Sequence, residues 1–143
     1  MERMEFVTYD IKNFSPKEIE NTGAKLKDIK ADTILCLQRL RTLISRKIIL
    51  LKNGLTTGIH TAKEHPEGRA VDVFIGGVGI DCSIIYHALQ AGFRGIGFYY
   101  CSETDLYSFH FDLGEIRFWG AAKNKKDEPW KYFTLLKDPK EYL

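Results

Sequence analysis

Tyr107-Ser-Phe-His-Phe-Asp-Leu113 carries the reading of this chain in its alternation. A period of two puts Ser108, His110 and Asp112 on one face of a strand and turns Phe109 and Phe111 to the other. One face is therefore fit for a core, while the other displays an imidazole and a carboxylate. Outward from this strand, Gly95 to Tyr100 and Ile116 to Trp119 read as successive strands. Further upstream, Arg69 to Ile75 alternates as another, with Ala70, Asp72 and Phe74 on one face, and Gly68 lets the chain turn tightly into it. Lys47 to Leu51 is a short β-branched apolar run, read as a buried strand closed by Asn53-Gly54.

The helices lie mostly before these strands. Phe14-Ser15-Pro16-Lys17-Glu18 has the signature of a helix start, with Ser15 as N-cap, Pro16 in the first helical position and Glu18 at the capping-box position. Ile34, Leu37, Leu40 and Ile44 recur at helical spacing and predict a main helix from about Lys30 to Ser45. Gly76-Gly77-Val78-Gly79 reads as a turn, after which Asp81 caps a helix over Cys82 to Ala91 that ends at Gly92. Glu128-Pro129-Trp130 is expected to start a last short helix, with Trp130, Phe133 and Leu136 at helical spacing; the segment is expected to pack on the core, with a contact surface as the alternative. Strands clustered after helices argue for an α+β fold with a central, mainly antiparallel sheet flanked by helices. With no repeat or linker in the sequence, residues 1–143 are expected to form one domain.

Composition narrows the functional classes. A formal net charge of +2 is too small to argue for nucleic acid, and the Lys123 to Lys126 run reads as a solvated loop. No window is apolar enough to span a membrane. Met1-Glu-Arg-Met-Glu carries acids and no apolar segment, so no secretory signal is expected and the chain reads as cytoplasmic when made. Cys36, Cys82 and Cys101 are far apart and odd in number, which suits free, buried thiols. Oligomeric state is not legible.

The chemistry-bearing residues are His65, Asp72 and His110. Two imidazoles and a carboxylate form a ligand set that zinc accepts, with a fourth position left for water. His65 comes from the loop before a strand, Asp72 from that strand and His110 from another, so the three can meet at one metal. Other arrangements compete. Asp72, in the apolar run Ala-Val-Asp-Val-Phe, needs a cation or several donors, and Arg69 and Arg117 are the candidate partners. Asp112 either orients a ligand histidine or pairs with Arg117. His60 is a further candidate for contact with metal or substrate, and His87 reads as structural.

The pattern His65-x-x-Gly68-x-Ala70-x-Asp72 followed by His110-x-Asp112 resembles the zinc site of the M15 peptidases, the D-Ala-D-Ala carboxypeptidases and related cell-wall endopeptidases. Gly95-Ile-Gly-Phe-Tyr99, with His110-Phe-Asp-Leu-Gly-Glu-Ile-Arg117-Phe-Trp119, is most similar to their small subgroup with Gly-x-Gly-x-Tyr and His-x-Asp-x-Gly-x-x-Arg-x-Trp. The resemblance spans roughly Phe14 to Trp119. It implies a hedgehog/D,D-peptidase type of fold, zinc held by His65, Asp72 and His110, and action on peptidoglycan stem peptides; without a secretory signal, a phage lysin released through a membrane lesion or work on wall fragments inside the cell would fit.

Where the family carries its general base, this chain has Tyr107 and Ser108, and the loop before His65 holds no arginine. Asp105, Glu103, Glu64 and Glu67 are then the carboxylates left for a base. Tyr107 is left as a donor to an oxyanion, and Lys63 and Arg117 as the substrate-binding cations. The same departures admit a different class of function, a catalytically inactive zinc-binding domain that holds a wall peptide or a protein partner.

Overall fold

The computed structural model describes residues 13–51, 55, 69–75, 83–134 and 137–143. Ser15 caps α1 (Pro16–Glu20), its Oγ accepting from the Glu18 amide at 3.1 Å. A 3-10 turn, Leu26–Asp28, leads to α2 (Ala31–Ile44), which ends at Ser45 in a left-handed conformation with φ 52°. Ile34, Leu37 and Leu40 of α2 are fully buried, as their spacing predicts. After β1 (Ile48–Leu50) and β2 (Ala70–Ile75), α3 (Ser83–Ala91) precedes four strands: β3 (Gly95–Cys101), β4 (Leu106–Asp112), β5 (Arg117–Lys123) and β6 (Lys131–Phe133). The predicted turn at Gly76 to Gly79, the Asp81 cap, Cys82 and the loop carrying His60, Lys63 and His65 lie outside the described residues.

The six strands form one sheet in the order β1-β2-β4-β3-β5-β6. Every neighbouring pair is antiparallel except β3 with β5. The architecture is α+β, with a mostly antiparallel sheet. Its core face carries Val71, Val73, Ile96, Phe98, Phe109 and Phe111 into one buried cluster with Ile34, Leu37 and Leu40 of α2 and Ile84 and Ala88 of α3. Phe109 stacks on Phe98 with ring centroids 4.6 Å apart, and Phe111 stacks on Phe93 at 5.2 Å. Truncating a buried ring of this kind costs about 3–5 kcal/mol, so the alternation of β4 anchors the layer.

One expectation is corrected. Glu128-Pro129-Trp130 does not open a helix; Lys131 to Phe133 form β6, pairing with Gly120 to Ala122 of β5. Aromatic residues suit a pleated edge, and pairing with β5 decides the outcome over local helix signals. The Phe133 ring lies over Gly120, where a Cβ would collide with it. β5 is also longer than predicted, reaching Lys123 rather than stopping at Trp119.

Candidate functional site

The sheet's other face bears the site, and register assembles it. Asp72 of β2 stands opposite His110 of β4, with Gly97 of β3 on the far side of the histidine. One step along, Ala70 and Gly95 flank Asp112 in the same way. Directly opposed residues of an antiparallel pair bring their Cβ atoms within about 4.5–5.5 Å, close enough for Asp72 and His110 to touch.

They do touch. His110 Nδ1 lies 3.1 Å from Asp72 Oδ1, and His110 Nε2 lies 2.6 Å from Asp112 Oδ2. Asp112 is fully buried and held from three directions. The Gly114 amide donates to its Oδ1 at 2.9 Å, while Arg117 Nη2 approaches the Oδ2 that faces the histidine, at 3.2 Å. Asp112 therefore contacts His110 and pairs with Arg117 at the same time. Of the two arginines considered for Asp72, Arg117 instead contacts Asp112, and its guanidinium lies over the Trp119 ring, 4.9 Å from the centroid.

The two glycines of Gly95-x-Gly97 make room for this arrangement. A Cβ on Gly95 would collide with the Asp112 carboxyl, which lies across β3 toward Arg117. A Cβ on Gly97 would come within 2.6 Å of the Trp119 and Tyr99 rings. Trp119 crosses above Gly97 to reach His110, with ring centroids 5.2 Å apart. Its indole N–H donates to the Tyr99 hydroxyl at 2.7 Å, fixing both aromatics.

Electrostatics follow from burial and pairing. Burial pushes the His110 imidazolium down. The hydrogen bonds and charges of Asp112 and Asp72 outweigh it and lift its pKa to about 9. Burial would raise Asp112, but His110, the Gly114 amide and Arg117 together hold its carboxyl below the usual range. Burial also pushes the Tyr99 hydroxyl up, so it remains protonated.

The Asp72–His110 edge opens on a cavity of about 260 Å³ lined by Leu51, Tyr99, Ser108, Trp130 and Tyr132. Trp130 and Tyr132 meet the Tyr99 ring edge-on, at 5.0 and 6.3 Å. Trp130, expected in the core, is half-buried at this wall with Lys123 Nζ over its ring at 4.3 Å. Sequence reasoning gave Tyr99, Trp119 and Tyr132 no role here. The signal for Tyr99 was parity, since Gly95, Gly97 and Tyr99 share the face that the glycines keep open.

The donor set suits a metal in one respect. An imidazole nitrogen and a carboxylate oxygen 3.1 Å apart repel unless a proton or a cation lies between them. Two ligand atoms on one tetrahedral zinc, each about 2.0–2.2 Å from it, are separated by roughly 3.3 Å. With Nε2–H donated to buried Asp112, Nδ1 is the nitrogen left for ligation, the arrangement by which a carboxylate orients a metal-binding histidine. His65 and Lys63 lie outside the described residues. Among the described residues no group of three or more His, Cys, Asp or Glu side chains converges on one position.

Two other expected participants are not brought here. Tyr107 has the parity of Phe109 and faces the core side, where its hydroxyl donates to Asp138 Oδ2 at 2.9 Å. Asp105 lies in the β3–β4 turn at φ 52°, and its Oδ1 accepts from the Tyr100 hydroxyl at 2.6 Å. Both are committed to packing the C-terminal 3-10 turn and the β3–β4 connection. His87 lies in α3, its Nδ1 3.0 Å from Gln90 Oε1. Among the described residues no helix is long and apolar enough to cross a membrane. Comparison with protein-family models, curated proteins and solved structures finds no match for this chain.

Proposed function

We propose that this chain is a zinc-dependent metallopeptidase with a hedgehog/D,D-peptidase type of fold, acting on peptidoglycan stem peptides as a carboxypeptidase or endopeptidase. The observation that carries the reading is the clamped imidazole of His110. Nε2 lies against the buried Asp112 carboxylate at 2.6 Å, and Nδ1 faces the Asp72 carboxylate at 3.1 Å on the rim of a cavity. His65, in the motif His65-x-x-Gly-x-Ala-x-Asp72, supplies the third ligand in this reading. Zinc, when bound, supplies a water of pKa near 7 and polarises a carbonyl. The chain's own contribution is to fix the His110 tautomer and hold the Asp72 carboxylate beside Nδ1. The Tyr99, Trp130 and Tyr132 wall shields an extended peptide from water.

The test is mass spectrometry of muropeptides incubated with zinc-loaded protein, beside a His110→Ala control. A new fragment that the control does not produce identifies the bond cut. Metal analysis of the same samples tests the ligands, since a His65→Ala or His110→Ala variant that keeps stoichiometric zinc removes that residue from the set.

A second reading rests on the placement of Tyr107 and Asp105. With both committed elsewhere, neither serves as a base, which favours a zinc-binding domain that holds a wall peptide or protein partner without cleaving it. Unchanged muropeptides that nonetheless bind the zinc-loaded protein would select this reading.

A further inference from the structure

Gly97 lets a tyrosine reach the Asp72–His110 row. In register Tyr99 stands opposite Ser108, two residues along from the pair that Gly97 makes with His110. Its ring does not stay over its own position. A Cβ on Gly97 would lie 2.6 Å from Tyr99 Cε1, so the ring leans over the glycine and carries its hydroxyl toward the row that holds His110. Trp130 and Tyr132 meet that ring edge-on, at 5.0 and 6.3 Å, and brace it from the β6 side.

The hydroxyl has a fixed direction. The Trp119 indole, which can only donate, gives its N–H to the Tyr99 oxygen at 2.7 Å. A phenol has one proton of its own to give, so the Tyr99 O–H is directed away from Trp119. Burial is the main reason it keeps that proton, with smaller help from Tyr132 and Asp72 against the pull of the Trp119 bond. Accepting one hydrogen bond also polarises the group and strengthens the bond it donates. Tyr99, Asp72 and His110 line one cavity. A peptide entering it loses water from its carbonyl oxygens, each of which then needs a donor. Ionised carboxylates such as Asp72 only accept, so a carbonyl over this row needs a neutral O–H or N–H.

We propose that Tyr99 is a substrate-binding residue of this site, whose hydroxyl, aimed by Trp119, donates to one carbonyl oxygen of a peptide lying over the Asp72–His110 row. This role rests on the reading that the site takes a peptidoglycan stem peptide, and it needs no metal.

The test is a thermodynamic cycle, measured by calorimetry, between the full chain and a synthetic stem pentapeptide. Phenanthroline, a neutral chelator, keeps zinc away so that the peptide is not cut. One carbonyl oxygen of the peptide at a time is replaced by sulfur, a weaker acceptor. With the wild type, one replacement should weaken binding about five- to tenfold, the range of one net hydrogen bond. Tyr99→Phe should weaken binding of the parent peptide by a similar factor and be indifferent to that same replacement. Trp119→Phe keeps the hydroxyl but frees its direction, and should lower the oxygen-over-sulfur preference of the wild type. The proposal is overturned if the wild type does not bind the peptide or no position is sensitive to sulfur. It is equally overturned if the sulfur and Tyr99→Phe losses simply add, because Tyr99 then acts only by supporting Trp119. Zinc-loaded wild type with the parent peptide reports cleavage separately. Coupling without a new fragment would sink the peptidase reading and leave Tyr99 in its role, whereas a new fragment without coupling would do the reverse.

Discussion

His110 has both ring nitrogens facing carboxylates, yet the two sides are unequal. Asp112 is fully buried and already receives the Gly114 amide and the Arg117 guanidinium, whereas Asp72 borders the cavity. The Nε2 proton therefore belongs with Asp112, and Nδ1 with whatever Asp72 shares. Asp112→Asn keeps the shape but removes the charge that, in the zinc reading, strengthens His110 as a ligand. Zinc affinity should fall about 10–100-fold, as is common when an orienting carboxylate is lost. Competition against a chromophoric chelator would measure it, and an unchanged affinity would detach Asp112 from the metal. Gly97 makes a sharper structural demand. Gly97→Ala puts a methyl within 2.6 Å of the Trp119 and Tyr99 rings, so Trp119 must leave His110. The cost should be about 1–3 kcal/mol in urea unfolding, with a change in tryptophan emission. An unshifted spectrum at wild-type stability would show that the ring does not lie across β3.

Among the elements, legibility followed periodicity and failed where tertiary pairing took over. α2 and β4 have long, regular patterns, and their boundaries and buried faces came out close to expectation. β6 did not, because Glu-Pro-Trp imitates a helix start and Trp130 and Phe133 happen to be three apart. Only the free edge of β5, with Gly120 open to the Phe133 ring, makes that segment a strand. The Asp72–His110–Asp112 row was legible as ligand-type residues on shared faces, but the aromatic wall depends on strand order, which no local pattern encodes. Tyr107 was misplaced for a different reason. Nearness to His110 in sequence suggested a shared site, although the same period of two that groups Ser108 with His110 sends Tyr107 to the core side with Phe109. There it anchors the C-terminal 3-10 turn Pro139–Tyr142 through Asp138. Tyr107→Phe should cost about 1 kcal/mol, the net worth of one hydrogen bond, and leave zinc affinity untouched. Urea midpoints beside a zinc titration would decide it. A loss of zinc without a loss of stability would return Tyr107 to the site.

For the molecule as a whole, the sheet keeps its apolar core on one face and its charged row on the other, so the row's protonation bears directly on folding. In zinc-free protein the Asp72–His110–Asp112 array is held by a proton. The folded-state pKa of His110 is lifted to about 9 from 6.5, so the folded chain holds that proton more tightly than the unfolded chain does. Its contribution is fully present below pH 6.5, declines above it, and is lost as pH rises through about 9. Asp112 works in the opposite sense. Its lowered carboxyl stabilises the fold above the ordinary value of 3.8, and that contribution disappears as pH falls through the folded-state pKa. Zinc-free protein is therefore expected to be most stable in mildly acidic solution and to weaken on the alkaline side. Zinc should flatten that alkaline limb, because a metal between Nδ1 and Asp72 replaces the proton. Urea midpoints from about pH 5 to about pH 10, with phenanthroline and with zinc, would measure both limbs, using His110→Asn as the reference. If zinc-free wild type and His110→Asn lose stability in parallel as the solution turns alkaline, His110 does not share the proton. If zinc leaves the wild-type slope unchanged, the metal does not take the proton's place.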